Sequence, residues 1–195
     1  MGHISSAEYA VPGGCAQDFT GGHIYWSPAT GAAHEVHGAI LGLPHHGWAV
    51  LRARVARHDE TGTPDRVGRF NHFQYGSICW TPTTGAQSIQ GAIKDKWAQD
   101  QWETGFLGYP LTDERTTPDG TGRYNHLQGG SRYTPTAGAH SVQGAIRDSW
   151  AAQGWERGPL GYPTSDEYPV PGGRQSDFQG GTLFWDATTG VVAPR

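Results

Sequence analysis

Apolar positions along this chain switch between two periods, and the switch happens twice in the same way. In Ser77-Ile78-Cys79-Trp80, Ile78 and Trp80 alternate with Ser77 and Cys79, which predicts a strand with one face more buried than the other. After Gly85 the spacing lengthens. Ile89, Ala92, Ile93 and Trp97 form one stripe of a helix, and Val142, Ala145, Ile146 and Trp150 repeat it. Lys94-Asp95-Lys96 and Arg147-Asp148-Ser149 occupy the opposite, solvated face. Ser88 and Ser141 stand where an N-cap would satisfy orphan amides. Each helix is expected to run about three turns and stop before Trp102 or Trp155.

Short aromatic runs separated by Gly21-Gly22, Tyr75-Gly76, Gly129-Gly130 and Gly180-Gly181 predict four β-hairpins. The strands are expected near residues 69–74 and 77–81, and near 123–128 and 131–134. With Glu8, Glu60, Glu114 and Glu167 as markers, the chain resolves into four copies of a unit of about 53 residues: 8–59, 60–113, 114–166 and 167–195. Residues 1–7 read as an appended tag or flexible N-terminus, and 8–195 as a single array. A unit this short cannot build a core alone, so neighbours must bury each other's apolar faces. The expected fold is α+β, each repeat being a hairpin plus a short helix. The first copy departs from the pattern. Pro44 should truncate its helix, and Arg52 to Arg57 stand where the others carry Leu-Gly-Tyr-Pro. The fourth copy stops after its hairpin.

Composition narrows the function. Gly (30) and Pro (13) exceed a fifth of the 195 residues but recur in register between aromatics, so they punctuate turns. A net charge of −4 leaves no electrostatic footprint for nucleic acid. No apolar run approaches a membrane span. Cys15 and Cys79 sit at non-equivalent places and read as packed, unpaired thiols. The opening residues form no secretory signal, which leaves the compartment open.

Four candidate aromatics, Trp26, Trp80, Tyr133 and Trp185, end the second strand of each hairpin. Such rings either stack on the apolar face of a sugar or fill the core of a glycine-rich array. A polar pair precedes each turn: Gln17-Asp18, Asn71-His72, Asn125-His126 and Ser176-Asp177. Asp18, Asn71, His72, Asn125, His126 and Asp177 are the candidates there, either bonding sugar hydroxyls or holding the turn. Replacement of His by Asp between copies speaks against catalysis. Asp59-Glu60, Asp113-Glu114 and Asp166-Glu167 suggest the two carboxylates of a glycosidase, but their repetition as sequence neighbours points to turn or capping bonds. His34-Glu35-Val36-His37 is one residue short of the spacing a helical zinc site uses, even with His45-His46 nearby. No cofactor, metal site or catalytic residue is expected.

Leu107-Gly108-Tyr109-Pro110 and Leu160-Gly161-Tyr162-Pro163, framed by Gly-Ala-Ile, Trp and Asp-Glu, resemble the LGFP repeat of actinobacterial envelope proteins. Tyr109 and Tyr162 replace the Phe which that family prefers. The resemblance implies a non-catalytic module that holds appended hydrolases or acyltransferases on cell-wall polysaccharide, or a stand-alone secreted protein. It also implies packing of the units in a propeller-like or toroidal array. The functional expectation is therefore an extracytoplasmic, lectin-like glycan binder. The competing expectations are a ligand-free spacer and a small hydrolase.

Overall fold

The computed structural model describes residues 1–42, 56–134 and 138–195. Pro44, His45-His46 and Arg52 to Val55 lie outside them. Each copy is more than a hairpin: it is an antiparallel sheet of four strands in chain order. The first sheet comprises β1 (Tyr9–Val11), β2 (Gly14–Phe19), β3 (Gly22–Ser27) and β4 (Ala32–His37). The second comprises β5 (Thr61–Gly62), β6 (Arg69–His72), β7 (Gly76–Thr81) and β8 (Gly85–Gln90). The third comprises β9 (Arg115–Thr116), β10 (Arg123–Leu127), β11 (Gly130–Thr134) and β12 (His140–Gln143). The fourth comprises β13 (Tyr168–Val170), β14 (Gly173–Phe178), β15 (Gly181–Asp186) and β16 (Val192–Pro194). The expected hairpins are the two central strands of each sheet. The chain is thus mostly β, with small helices.

Two helices form where the apolar stripe predicts them, α1 (Gly91–Gln99) and α2 (Gly144–Ala152). They are shorter than three turns because Ser88 and Ser141 are not N-caps. Both serines lie in strands, β8 and β12, and the chain passes from strand to helix through Gly91 and Gly144, each at φ +50°. Left-handed backbone of this kind is accessible to glycine without a Cβ penalty. In the first copy the corresponding segment is a 3-10 turn, Gly38–Gly42. The fourth copy closes on β16 rather than on its hairpin.

The expected one-sided burial of the 77–81 strand is corrected. Ile78 and Cys79 are both buried, as is Ser77, and Trp80 is the least covered residue of β7. A central strand packed on both faces loses the alternation that an edge strand would keep.

The chain divides into two compact units, Met1–Lys94 with Tyr109–Asp113, and Asp95–Gly108 with Glu114–Arg195. In the first, Ala16, Tyr25, Val36, Ile40, Phe73 and Ile78 form the core between the first two sheets. In the second, α2 inserts Ile146 and Trp150 among Tyr133, Val142, Tyr162, Phe178 and Leu183. Trp150 meets Tyr133 edge-on, with centroids 4.7 Å apart.

The Leu-Gly-Tyr-Pro segments have a definite mechanical role. Leu107 and Leu160 are buried, and their carbonyls accept from Gly129 and Gly180, both at 2.9 Å. Trp97 and Trp150 donate their indole N–H to the carbonyls of Gly108 and Gly161, at 3.2 and 3.1 Å. The same arrangement recurs at Met1-Gly2-His3-Ile4. The Met1 carbonyl accepts from Gly21 at 2.8 Å, and Ile4 bridges Phe19 as Pro163 bridges Phe178.

Each Asp-Glu pair splits its carboxylates between two tasks. Asp113 Oδ1 accepts from the Ser88 amide and hydroxyl, both at 2.8 Å, and Asp166 Oδ1 does the same for Ser141 at 2.9 and 3.1 Å. Asp59 takes the Glu35 amide at 3.1 Å. The glutamates bind arginines of their own sheets: Glu60 with Arg69, Glu114 with Arg123 and Glu167 with Arg174.

Candidate functional site

Cross-strand register decides which of the candidate residues are equivalent. Arg69 pairs with Trp80 and Arg174 with Trp185, while Cys15 pairs with Trp26. In the third sheet Arg123 pairs with Thr134, and Tyr133 pairs with Tyr124. The fourth member of the aromatic set is therefore Thr134, not Tyr133. A shift of one residue moves a side chain to the other face of the sheet. Tyr133 is only 2% exposed, stacks on Tyr124 at 5.3 Å and belongs to the core. Burial pushes its phenol well above the ordinary range.

The same register separates the polar candidates. Asn71 and Asn125 lie two residues from Arg69 and Arg123 and share their face. Both are fully buried. Asn71 donates to the carbonyl of His58 at 3.0 Å. Asp18, His72, His126 and Asp177 point to the opposite face. Each bonds a partner on the next strand: Asp18 with His23, His72 with Ser77 at 2.6 Å, His126 with Ser131 at 2.7 Å, and Asp177 with Thr182 at 3.0 Å. Asp18 and Asp177 also accept from the hydroxyls of Tyr9 and Tyr168, at 2.8 and 2.9 Å. Burial pushes His72 down to about 4 and lowers His126 as well, so both imidazoles are neutral at pH 7. Asp18, His72, His126 and Asp177 thus each bond across the strand pair that carries them. Trp26 is 43% exposed on the first sheet.

Trp185 is different. It lies in a groove of the second unit made of two adjoining depressions of ≈ 410 and ≈ 380 Å³. Gln143, Glu167 and Arg174 line both. Trp185 with Gly144, Ala145 and Ile146 walls one end, and Asp100, Phe106, Ser141 and Asp166 wall the other. The sequence supplies each wall locally. Gln143 is the last residue of β12, directly before the glycine that starts α2. Arg174 projects beside Trp185 because directly opposed residues share a face.

Charges in the groove are paired. Arg174 Nε donates to Glu167 Oε1 at 2.5 Å, and its Nη2 reaches the Glu167 carbonyl at 3.3 Å. Lys96 sits 2.8 Å from Asp166. Burial pushes Asp166 up, but the Lys96 ammonium and the Ser141 donors outweigh it, and its carboxyl lies below the ordinary range. Behind Asp100 lies Arg132, fully buried and bonded to it. The second oxygen of Glu167 is buried and has no donor among the described residues. The arrangement offers an apolar ring, a forked donor and a neutral amide side by side, those of Trp185, Arg174 and Gln143.

Sequence reasoning found Trp185 and missed Gln143, Arg174 and Phe106. A signal existed for two of them: Gln precedes Gly-Ala-Ile in two copies, and Arg69, Arg123 and Arg174 recur. Among the described residues no cluster of three or more His, Cys, Asp or Glu could hold a metal ion, and His45-His46 lie outside them. Cys15 and Cys79 form no disulfide with each other. No helix among the described residues is long and apolar enough to cross a membrane.

A search among curated proteins finds no match to this chain. The LGFP repeat model matches it four times, at residues 4–43, 56–105, 107–158 and 160–194. These segments cover nearly the whole chain and each contains one of the four sheets, so the chain belongs to the LGFP repeat family.

Proposed function

We propose that this chain is a non-catalytic, lectin-like polysaccharide-binding module acting outside the cytoplasm, on the cell envelope or in the extracellular space. Its partner on this reading is a cell-wall polysaccharide or another glycan, and in a longer parent protein it would hold an appended catalytic domain on that glycan. The observation that carries the reading is the groove at Trp185. A half-buried indole with a guanidinium and an amide beside it is a set that a sugar ring engages through its apolar face and its hydroxyls. The paired charges leave no net field, which favours a neutral sugar over a uronate or phosphate. The ring-like packing expected of the four repeats belongs to this proposal too, and small-angle scattering tests it.

Isothermal titration with neutral oligosaccharides of gluco, manno, galacto and arabino configuration tests the function. Binding by at least one, weakened ten-fold or more in Trp185→Ala, supports it. Absence of binding to all of them, and to whole wall polysaccharide, by protein of verified fold overturns it.

A ligand-free spacer is the second reading. The burial of Asn71, Asn125 and Tyr133 favours it, because these side chains support sheets rather than face solvent. On that reading Trp185→Ala changes only the melting temperature.

A further inference from the structure

We infer that the chain carries a second sugar site in its first compact unit, built from His37, Glu60, Arg69 and Trp80, and that complete sites number two rather than four. This rests on the glycan-binding reading and specifies where and how often the ligand is held.

Four groove residues of the second unit, Gln143, Glu167, Arg174 and Trp185, have positional counterparts in the first. Arg69 stands across the strand pair from Trp80 as Arg174 stands across from Trp185. Arg69 is ion-paired with Glu60 as Arg174 is with Glu167, and its Nη2 reaches the Glu60 carbonyl at 3.4 Å, against 3.3 Å for the other pair. The two guanidinium side chains are equally accessible, 40% and 38% exposed, above glutamates that are almost fully buried. Trp80 and Trp185 each pack half-buried against the core of their own unit. The sequence after the strand is repeated as well: Gly38-Ala39-Ile40 follows β4 as Gly144-Ala145-Ile146 follows β12, with the leading glycines at φ +61° and +50°. His37 ends β4 where Gln143 ends β12.

The other two copies each lack a member. In the third, Thr134 stands opposite Arg123 where the other sheets have an indole. In the first, Cys15 replaces the arginine opposite Trp26, so the half-exposed ring has no forked donor across its strand pair. Stacking and hydroxyl recognition are both needed to hold one sugar ring in a shallow site, so only the second and fourth copies supply a complete set.

The two sites differ at the glutamate and at the residue that ends the neighbouring strand, His37 in one and Gln143 in the other. Glu60 Oε2 already accepts from the His37 amide at 3.2 Å, whereas Glu167 Oε2 has no donor among the described residues. His37 faces the carboxylates of Glu35 and Glu60 at 3.7 and 3.8 Å, whereas Gln143 presents a neutral amide to its groove, better suited to sugar hydroxyls. The site at Trp185 is therefore the tighter one, and the site at Trp80 the weaker.

The test is calorimetric titration of the intact chain with the best-binding neutral trisaccharide from the oligosaccharide series, on wild type and on Trp80→Ala, Trp185→Ala and the double variant. Wild type is expected to bind two molecules in two affinity classes. Trp80→Ala loses the weaker class, Trp185→Ala the tighter, and the double variant binds none. Trp80→Phe and Trp185→Phe, which keep a ring, retain both classes and separate loss of stacking from loss of fold. One molecule per wild-type chain, lost in Trp185→Ala and unchanged in Trp80→Ala, overturns the second site and leaves the glycan-binding function standing. Three or four equal sites overturn the count. No binding of any oligosaccharide by the folded chain removes both the function and the inference built on it.

Discussion

The hydroxyl of Tyr162 donates to the carboxylate of Asp119 at 2.6 Å, joining residues 43 positions apart. It also lies 2.8 Å from the Thr117 hydroxyl. Tyr109 makes the same pair of contacts with Asp65 and Thr63, both at 2.8 Å. These tyrosines, which stand where the LGFP pattern has phenylalanine, thus fasten the ends of the second and third repeats to their beginnings.

That bond has a measurable acid signature. The Tyr162 hydroxyl, foremost, and the donors of Thr117 and Thr121 hold Asp119 at about 2 against an ordinary 3.8, with burial opposing them. An aspartate lowered on folding adds stability that is complete above its unfolded value and is lost as pH falls through about 2. Tyr162→Phe is therefore expected to cost about 1 kcal/mol at pH 7 and to flatten the melting-temperature profile between pH 4 and 2. Tyr109→Phe should do the same through Asp65, which is also lowered. Thermal scans across that range check it. An unchanged slope in Tyr162→Phe would show that the contact does not hold Asp119 ionised.

The glycine of the same segment is constrained by backbone and by space. Gly108 and Gly161 sit at φ +64° and +65°, and an added Cβ would stand 2.5 and 2.6 Å from the side-chain oxygens of Gln128 and Gln179. The glutamines can swing aside, but the left-handed backbone remains. Gly161→Ala is expected to destabilise by about 1–2 kcal/mol. Gly31→Ala, also left-handed but with nothing within 4 Å, isolates the backbone part. Chemical denaturation of the two variants reads the difference.

Much of this architecture was legible in the sequence, and the losses have physical causes. The central hairpins and the two helices followed from turn glycines and a three-to-four-residue apolar spacing. The outer strands did not, because Gly85 to Gln90 is short and polar and its serine looked like a cap. The confusion of Tyr133 with Thr134 arose from length. Six residues, Ser77 to Pro82, follow the turn glycine of the second copy through its proline, whereas only five, Ser131 to Pro135, do so in the third. Counting back from the proline matches Tyr133 to Trp80, but the hydrogen-bond ladder counts forward from the turn and matches it to Cys79. Met1-Gly2-His3-Ile4 shares only its glycine with Leu-Gly-Tyr-Pro. Its equivalence is visible only in the backbone bonds it makes.

The buried imidazoles predict a second pH dependence, at milder acidity. His72 titrates at about 4 in the fold, chiefly through burial, against an ordinary 6.5. As pH falls, the unfolded chain takes up the proton first. Stability is therefore complete above pH 6.5, declines as pH falls toward about 4, and does not change further on this account below that. His72→Gln, which retains a group able to bond Ser77, should remove part of the decline, and His126→Gln should act in the same direction. Melting temperatures at pH 7, 5.5 and 4 decide it. A variant that melts in parallel with wild type across the window would exclude the histidine as the source.

Arg132 is the residue most at odds with its surroundings, and its replacement separates specificity from stability. It occupies the position held by Ile78 and Leu183 in the second and fourth sheets, fully buried. One guanidinium nitrogen bonds Asp100, and the other two have no partner among the described residues. Desolvating such a pair generally offsets its attraction, whereas removing one partner strands the other. Asp100→Gln alone, which installs the residue found at the matching Gln153, is expected to cost about 3–5 kcal/mol. The double variant Arg132→Leu/Asp100→Gln reproduces the pattern of the other copies and is expected to match or exceed wild-type stability. Denaturant melts of both variants test this. If the double variant stays as unstable as the single, the ion pair is a net contributor and the third repeat depends on it for its core.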